Sequence, residues 1–315
     1  MPAPDPAHGA ELPPFAGITS FMRRPATRDL AGVDVAVVGI PFDGGTSYRS
    51  GARFGPRRIR EASAMVWGYN NALAVKPLDV LEVVDYGDVN VIPPSITETM
   101  ANIESEVGAI LAAGAAALAL GGDHSVSLPL LRAHARKHGP LGVVHFDSHP
   151  DTWDHEFDDR PYSHGTPFRR AIEEGIIDPS RYVQVGLRGP TIEARDWQWA
   201  RERGVRAITM DDVAEIGLPA VIRAMREPLR GPIYVTLDVD AADPAFAPGT
   251  GTPEVGGFTS HELLRLVRAL RGVEIVGADL VEVSPPYDHG DITALLAANL
   301  AFELLSLMAV RRRGG

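Results

Sequence analysis

Three short apolar segments of this chain each run into acidic or imidazole side chains, and this repeated pattern limits the possible folds most strongly. The segments are Ala116–Leu120, Gly142–Phe146 and Ile233–Leu237. Unbroken apolar runs of this length are typical of strands buried on both faces, as in parallel sheets covered by helices. Such sheets bind ligands at the carboxyl ends of their strands. The polar residues that follow the three segments are Asp123, His124, Asp147, His149, Asp151, Asp238 and Asp240.

Helical patterns between the apolar segments indicate an α/β protein with a mostly parallel sheet covered on both faces. Ser95 with Glu98, and Thr259 with Glu262, form capping-box patterns that start helices, and we expect the first helix to end near Ala113. Further strands are predicted at Val33–Ile40, Val183–Val185, Val205–Ile208 and within Val273–Val283, and further helices at Ser127–Lys137, Pro167–Glu174, Thr191–Arg203, Leu218–Met225 and Ala294–Met308.

The middle of the chain contains no linker, repeat or low-complexity stretch, so we predict a single domain over residues 16–315. Residues 1–15 are rich in proline, alanine and acidic residues and are predicted to form a mobile N-terminal arm.

Charge and cysteine content limit the partners and the kind of metal site. With 41 acidic and 30 basic residues, the net charge is −11, which argues against nucleic acid and anionic membranes and suits a small cationic ligand. The chain has no cysteine, so disulfides and thiolate metal sites are excluded, and we expect a cytoplasmic protein. No stretch approaches the roughly 18 unbroken apolar residues of a membrane helix.

The acidic residues at the predicted strand ends favour a metal site. On an extended backbone, side chains two residues apart share a face, so Asp147, His149 and Asp151 are expected to converge. Buried carboxylates repel one another and lose hydration unless a cation lies among them. Together with His124, Asp238 and Asp240 they supply more ligands than one tetrahedral site can use, which favours two ions about 3.5–4 Å apart. Oxygen-rich ligands without sulfur favour Mn²⁺.

Several of these residues also have ordinary structural interpretations. Asp123 is expected to orient its loop, and His145, which shares the parity of the triplet, fits packing or a contact behind the ligands better than ligation. Glu282 ends a buried strand and would need a cation, either a guanidinium or one of the chain's own arginines. His164 could be a loop histidine in water. The glycine-rich segment Phe42–Arg60 matches no phosphate-binding motif and is interpreted as an active-site or subunit-contact loop.

Five motifs occur in the order found in the ureohydrolase family, which includes arginases, agmatinases, guanidinobutyrases and proclavaminate amidinohydrolase. They are GGDHS, DSHPD, SHGTPFRR, LDVDAADPAFAPGTGTP and VEVSPPYD, with SGARFGPRRIR upstream, and the resemblance extends over nearly the whole chain from Phe15. It implies a three-layer α/β/α fold with a mostly parallel eight-stranded sheet and two Mn²⁺ ions per subunit. The metal ligands that it implies are His124, Asp147, His149, Asp151, Asp238 and Asp240, with Asp147, Asp151 and Asp238 as candidates for bridging.

The resemblance also implies a reaction and the residues that perform it. A hydroxide bridging the two Mn²⁺ ions attacks the guanidinium carbon, and an amine and urea are released. Glu282 would hold the guanidinium, His164 would shuttle protons, and Asp151, besides ligating metal, would orient the hydroxide. Members of the family are commonly homotrimers or homohexamers.

Departures from the family motifs bear on the substrate. Arginases usually carry an asparagine where this chain has Trp153, so arginine is disfavoured, and the loop 153–163 is expected to face the substrate tail. Asp158 and Asp159 could attract the ammonium of agmatine, whereas Arg160 could attract the carboxylate of a guanidino acid. We expect agmatine, giving putrescine and urea as in polyamine biosynthesis. The alternative is 4-guanidinobutyrate, 3-guanidinopropionate or a proclavaminate-type substrate; a different bimetal hydrolase, such as a formimino hydrolase, is a more distant possibility.

Overall fold

A computed structural model describes residues 13–191 and 193–314. Its eight strands form one parallel sheet in the order β2-β1-β3-β8-β7-β4-β5-β6. The predicted arm lies mostly outside the described residues; its last three residues, 13–15, are exposed. The strands are β1 Val35–Gly39, β2 Val83–Asp88, β3 Ala116–Leu120, β4 Leu141–Phe146, β5 Ile177–Leu187, β6 Arg206–Thr209, β7 Ile233–Asp238 and β8 Ile275–Val281.

Helices cover both faces of this sheet, which explains why β1, β4 and β7 are buried along their whole lengths. Thr259 caps its helix with both halves of the predicted box, whereas at Ser95 only the serine side chain is engaged, accepting from the backbone of Glu98. The helices are α1 Gly55–Ser63, α2 Ile96–Ala112, α3 Ser127–His138, α4 Pro167–Glu173, α5 Ala194–Arg201, α6 Met210–Ile216, α7 Leu218–Arg226, α8 Ser260–Arg268 and α9 Ile292–Arg312.

Helix α9 is long and apolar enough to cross a membrane by length and composition, with a mean hydropathy of 1.8 in its most apolar 18-residue window. However, 83% of that window is buried inside the fold. Its one buried carboxylate, Glu303, accepts hydrogen bonds from Arg268 and Asn70. The helix therefore has the contacts of a core helix packed against α1 and α8.

Strands β3, β8, β7 and β4 lie side by side in the middle of the sheet and end at nearly the same level. This alignment sets the last residues of the four strands beside one another, so that the segments following them meet in one place. The neighbouring pairs are Leu120 with Leu280, Val281 with Asp238, and Leu237 with Phe146.

Four elements differ from the sequence-based predictions, and helix α6, Met210–Ile216, is one that was not predicted. The edge strand β2 was not predicted, because its second half, Asp85–Asp88, carries acidic residues rather than an apolar run. Strand β5 has 11 residues and begins well before the predicted Val183. The expected loop Phe42–Arg60 becomes helix α1 from Gly55 onward, with Pro56 in its first turn, where a missing N–H costs nothing.

Candidate metal centre and active site

His124 lies at the centre of a buried group of carboxylates. Its Nδ1 atom is 2.9 Å from Oδ2 of Asp151, 3.0 Å from Oδ2 of Asp147 and 3.3 Å from Oδ2 of Asp238. His124 follows β3, Asp147 and Asp151 follow β4, and Asp238 is the last residue of β7, so the three central strand ends converge as predicted. Ligand atoms of His124, His145, Asp147 and Asp151 all lie within 4.8 Å of one another, close enough to share one cation.

A second group adjoins the first and shares Asp147 with it. His149 places Nδ1 3.1 Å from Oδ2 of Asp240 and 3.5 Å from Oδ1 of Asp147. The other oxygen of Asp240 accepts a hydrogen bond from the Ser148 hydroxyl, with 2.7 Å between the oxygens. Two adjacent groups with a common carboxylate are the arrangement that a pair of bridged ions requires.

The donor atoms of the two groups fit a divalent metal. Nδ1 of His124 and Oδ2 of Asp240 are buried and have no hydrogen-bond partner among the described residues. Burial and the charge of Asp147 raise the pKa of Asp151 to about 7. Burial and the charges of Asp240 and Asp147 likewise hold the pKa of Asp238 well above its ordinary value. Carboxyl groups that are this reluctant to ionise together favour a cation among them.

The triplet converges for a different reason from the one predicted. Strand β4 ends at Phe146, so Asp147, His149 and Asp151 belong to the following loop and not to an extended strand. Asp151 has a left-handed backbone, with φ of 47°, which turns its carboxylate back toward His124. An L residue holds this conformation only where surrounding contacts fix it, and such strain is common at functional sites.

Buried hydrogen bonds hold His124 with Nδ1 turned toward the carboxylates. Its Nε2 atom is 2.9 Å from the Thr236 hydroxyl, which in turn donates to Oδ1 of Asp279 at 2.6 Å. Because the threonine proton is used on Asp279, Nε2 of His124 must be the donor. The lone pair of the ring is therefore on Nδ1, the atom that faces the acidic group, which is the tautomer that a metal requires.

His145 belongs to the first group by distance and contacts Asp147. Its Nε2 is 2.7 Å from Oδ2 of Asp147, and its Nδ1 is 2.8 Å from the Tyr182 hydroxyl. Both ring nitrogens thus have partners, and burial lowers the pKa of this histidine. The sequence alone did not decide whether His145 binds a metal or only supports a ligand. Its side chain is an even number of residues from Asp147, His149 and Asp151, so it is expected on the same face of an extended backbone. Its role as a support and not as a ligand stays a prediction, since its ring is also close enough to share a cation with His124, Asp147 and Asp151.

Glu282 and His164 pair next to the acidic groups. Oε1 of Glu282 accepts a hydrogen bond from the backbone N–H of His124 at 2.9 Å and lies 3.0 Å from Nδ1 of His164. Oε2 of Glu282 is buried and has no partner among the described residues. Glu282 also has a left-handed backbone, with φ of 63°. The sequence left open a salt bridge between Glu282 and one of the chain's own arginines. No such salt bridge occurs among the described residues, so Oε2 of Glu282 stays available for a ligand.

The glycine-rich segment before α1 packs against this pair, so its interpretation as an active-site loop agrees with its position. The backbone N–H of Gly45 donates to Oδ2 of Asp123 at 2.7 Å, and the Gly45 carbonyl accepts from the N–H of His164 at 2.9 Å. The N–H and hydroxyl of Ser47 lie 3.1 and 2.7 Å from Nε2 of His164. Ser47 was missed because 117 residues separate it from His164 and no motif links the two.

The charged residues expected to read the substrate tail lie on an exposed turn. Phe157 and Arg160 close the turn through a backbone hydrogen bond of 3.0 Å, and Asp158 and Asp159 occupy its tip. Arg160 has no ion-pair partner among the described residues. The turn leaves both charge types available, so the geometry of the single chain does not separate an ammonium from a carboxylate tail.

Comparison with known proteins identifies the family. A family model described as the arginase family matches residues 33–306. The chain belongs to the arginase family. Its relatives within the arginase family include a guanidinopropionase of Pseudomonas aeruginosa, 50% identical over 97% of this chain and 96% of that protein. A mitochondrial agmatinase of Gallus gallus is 44% identical over 93% of this chain and 86% of that protein.

The solved structure of the proclavaminate amidino hydrolase from Streptomyces clavuligerus superimposes on this arginase-family chain with a TM-score of 0.90. It is 45% identical in sequence, and the match covers 95% of this chain and 99% of that one. This likeness confirms both the predicted arginase-like fold, with its eight-stranded sheet, and the resemblance seen in the motifs.

Proposed function

We propose that this protein is an amidinohydrolase that removes the amidino group of a small guanidino compound as urea and depends on two Mn²⁺ ions. The observation that carries the proposal is the free Oε2 atom of Glu282, buried beside two acidic groups that share Asp147. A buried carboxylate oxygen without a partner favours a cationic donor, and a guanidinium N–H supplies one. A side chain at position 251 would fill the space beside Oε2, since its Cβ would lie 3.4 Å from that oxygen. Because residue 251 is glycine, this space stays open for the donor.

The residues proposed to hold the metals are His124, Asp147, His149, Asp151, Asp238 and Asp240. Two divalent cations bound by them would lower the pKa of a water molecule in the site and so provide a nucleophile at neutral pH.

The remaining chemistry is assigned to Glu282 and His164. Oε2 of Glu282 would accept an N–H of the guanidinium and fix the orientation of its planar carbon. Oε1 keeps its bonds to the backbone of His124 and to the ring of His164, so the substrate and the histidine share one carboxylate. Burial lowers the pKa of His164, but the hydrogen bond and charge of Glu282 outweigh it and raise the pKa to about 10. The ring can therefore hold a proton for the departing nitrogen.

Two substrate classes follow from the comparisons and the exposed turn. The 50% identity to a guanidinopropionase favours a guanidino acid, as does Arg160, which forms no ion pair with any residue that the structure describes. Agmatine stays a prediction beside it, because an agmatinase is 44% identical and Asp158 and Asp159 lie on the same turn.

The deciding experiment is urea release by the Mn²⁺-loaded protein from 3-guanidinopropionate, 4-guanidinobutyrate, agmatine and arginine. A strong preference for one of the first three fixes the substrate class. Arginine as the best substrate would contradict the argument from Trp153. If two metals are bound and none of the four compounds releases urea, the proposed function is wrong as stated.

The contribution of Arg160 is tested by the variant Arg160→Ala. If this residue attracts a carboxylate tail, kcat/KM for guanidino acids falls while that for agmatine is unchanged or rises. The matched control is Arg271→Ala, because Arg271 is exposed and precedes β8, near the amino ends of the central strands and away from the candidate site at their carboxyl ends. An unchanged ratio between the two substrate classes in Arg160→Ala would exclude Arg160 from tail recognition.

We also propose manganese as the metal, a homotrimer or homohexamer as the assembly and the cytoplasm as the location. Manganese is supported by the donor type, since the candidate ligands are carboxylates and imidazoles and the chain has no cysteine. Metal analysis of protein purified without added metal tests the first proposal, and the mass in solution tests the second. Zinc as the activating metal would contradict the first.

A further inference from the structure

Ser47 offers two groups to the same nitrogen of His164. Its backbone N–H is 3.1 Å and its hydroxyl oxygen 2.7 Å from Nε2, while Nδ1 of the ring is 3.0 Å from Glu282. A backbone N–H can only donate, so in the neutral ring Nε2 accepts and Nδ1 carries the proton toward Glu282. With Nδ1 engaged on a buried carboxylate, Nε2 is the nitrogen left for proton exchange.

The two groups of Ser47 differ in what they can do for His164. The N–H suits only the neutral ring, because it would face a second donor once Nε2 is protonated. The hydroxyl suits both states, since it can donate to neutral Nε2 and accept from the imidazolium. His164 is 7% exposed, whereas Ser47 lies on the exposed side of the loop. The hydroxyl is therefore positioned between a buried titrating nitrogen and water.

This contact is built into the loop by further hydrogen bonds. The Gly45 carbonyl accepts from the N–H of His164, and the Gly45 N–H donates to the buried side chain of Asp123. On the other side of Ser47, the backbone N–H of Gly51 donates to the buried side chain of Asp43 at 2.7 Å. The segment is thus held at both ends, and Ser47 stays against the ring.

The other charged groups around His164 offer no equivalent route. Glu282 is 1% exposed and holds Nδ1. Glu156 is 3.9 Å from Nε2 and uses its other oxygen on Ser163 and Gly165. The charges of Asp151 and Asp123 also act on the ring but make no hydrogen bond to it among the described residues.

We propose that the Ser47 hydroxyl relays protons between solvent and Nε2 of His164, so that the histidine is reprotonated after each turnover; this rests on the proposed function. A proton from water or buffer binds Oγ of Ser47 as the hydroxyl proton moves to Nε2. The serine ends as a neutral hydroxyl, the imidazole becomes imidazolium, and the donor is left as its conjugate base, hydroxide or the basic form of the buffer. Ser47 acts through His164 and is a positioning and relay residue for it.

The test compares the Mn²⁺-loaded variants Ser47→Ala, Ser47→Thr and Ser50→Ala with the wild type on the best guanidino substrate. Ser47→Ala keeps the backbone N–H that orients the ring but lacks the hydroxyl. We expect kcat to fall by roughly 100-fold, the lower end of the range for general acid–base catalysis, with KM and bound metal unchanged. Ser47→Thr should restore kcat, and Ser50→Ala, an exposed serine of the same loop, should match the wild type.

A second readout separates proton relay from a structural role. Added imidazole, as a small proton carrier, should raise kcat of Ser47→Ala in a concentration-dependent way and leave the wild type unchanged. Wild-type kcat in Ser47→Ala would overturn the relay while wild-type urea release upholds the proposed function. A loss that neither threonine nor imidazole restores would also overturn it, because the serine would then serve packing. A wild type that releases no urea from any guanidino compound would remove both proposals.

Discussion

His134 provides a pH-dependent contribution to stability whose size follows from the structure. It lies on α3 with Nδ1 2.8 Å from the Leu130 carbonyl, whereas Nε2 is buried without a partner among the described residues. Nε2 faces Gly277, where even a Cβ would come within 2.1 Å, so no water fits between them. Burial lowers the pKa of His134 to about 4 from the ordinary 6.5, although the Leu130 carbonyl opposes this.

The sign follows from which state binds the proton. Between pH 6.5 and 4 the unfolded chain protonates His134 and the folded chain does not, so stability is fully present above pH 6.5 and is lost as the pH falls toward 4. The gap of about 2.5 pKa units corresponds to about 3.4 kcal/mol in total. At pH 5.5 the expected loss is about 1.4 kcal/mol.

The assay is urea denaturation of metal-free protein between pH 7.5 and 5.5, for the wild type and His134→Gln. Glutamine does not titrate, so the variant lacks this part of the pH dependence. The free energy of unfolding of the wild type should therefore fall by about 1.4 kcal/mol more than that of the variant as the pH falls from 7.5 to 5.5. His261→Gln, at an exposed position of α8, is the control and should keep the wild-type slope. Parallel curves for the wild type and His134→Gln would refute the reasoning.

Three further predictions concern the site and the loop that carries it. His164→Ala should keep its bound metal and lose at least about 100-fold in kcat; metal analysis and urea release check this, and near-wild-type turnover would contradict the shuttle role. If the proposed two-metal centre is correct, Asp238→Asn should reduce bound metal from two ions toward one per subunit, measured by elemental analysis, and two tightly held ions would contradict its assignment as a ligand. Gly122→Ala would set a Cβ 1.6 Å from the Phe42 carbonyl oxygen and should lower thermal stability and metal binding, whereas Gly108→Ala, in α2 with open space around it, should stabilise by about 0.5–1 kcal/mol. Equal melting temperatures for the two glycine variants would contradict the close approach.

The sheet was the most predictable part of the molecule. Its central strands are short runs of apolar residues, and such runs indicate strands that are buried on both faces. Ala116–Leu120 was predicted with the observed bounds, and the central strands β4 and β7 within one residue. The edge strand β2 was not predicted, because its second half carries acidic residues that pair with Arg60; Asp85 lies 2.8 Å from it. Such a long-range ion pair leaves no periodic signal in the sequence.

The candidate ligands could be selected from the sequence, but the reason for their convergence could not. Asp151 reaches His124 through a left-handed backbone in a loop and not through strand alternation. The roles of His145 and Ser47 depend on which nitrogen of a ring faces which neighbour. Rotamers and tautomers are set by tertiary contacts, so motif spacing alone does not reveal them.

The arrangement of the central strands has a consequence for how this enzyme matures during synthesis. The site draws on segments after β3, β4, β7 and β8, and the last of these to leave the ribosome is the one that carries Glu282. A nascent chain that has just exposed the first acidic loop holds only part of the donor set. High-affinity metal uptake should therefore begin only late in translation, when β8 has inserted between β3 and β7, so that metal retention reports assembly of the central strands.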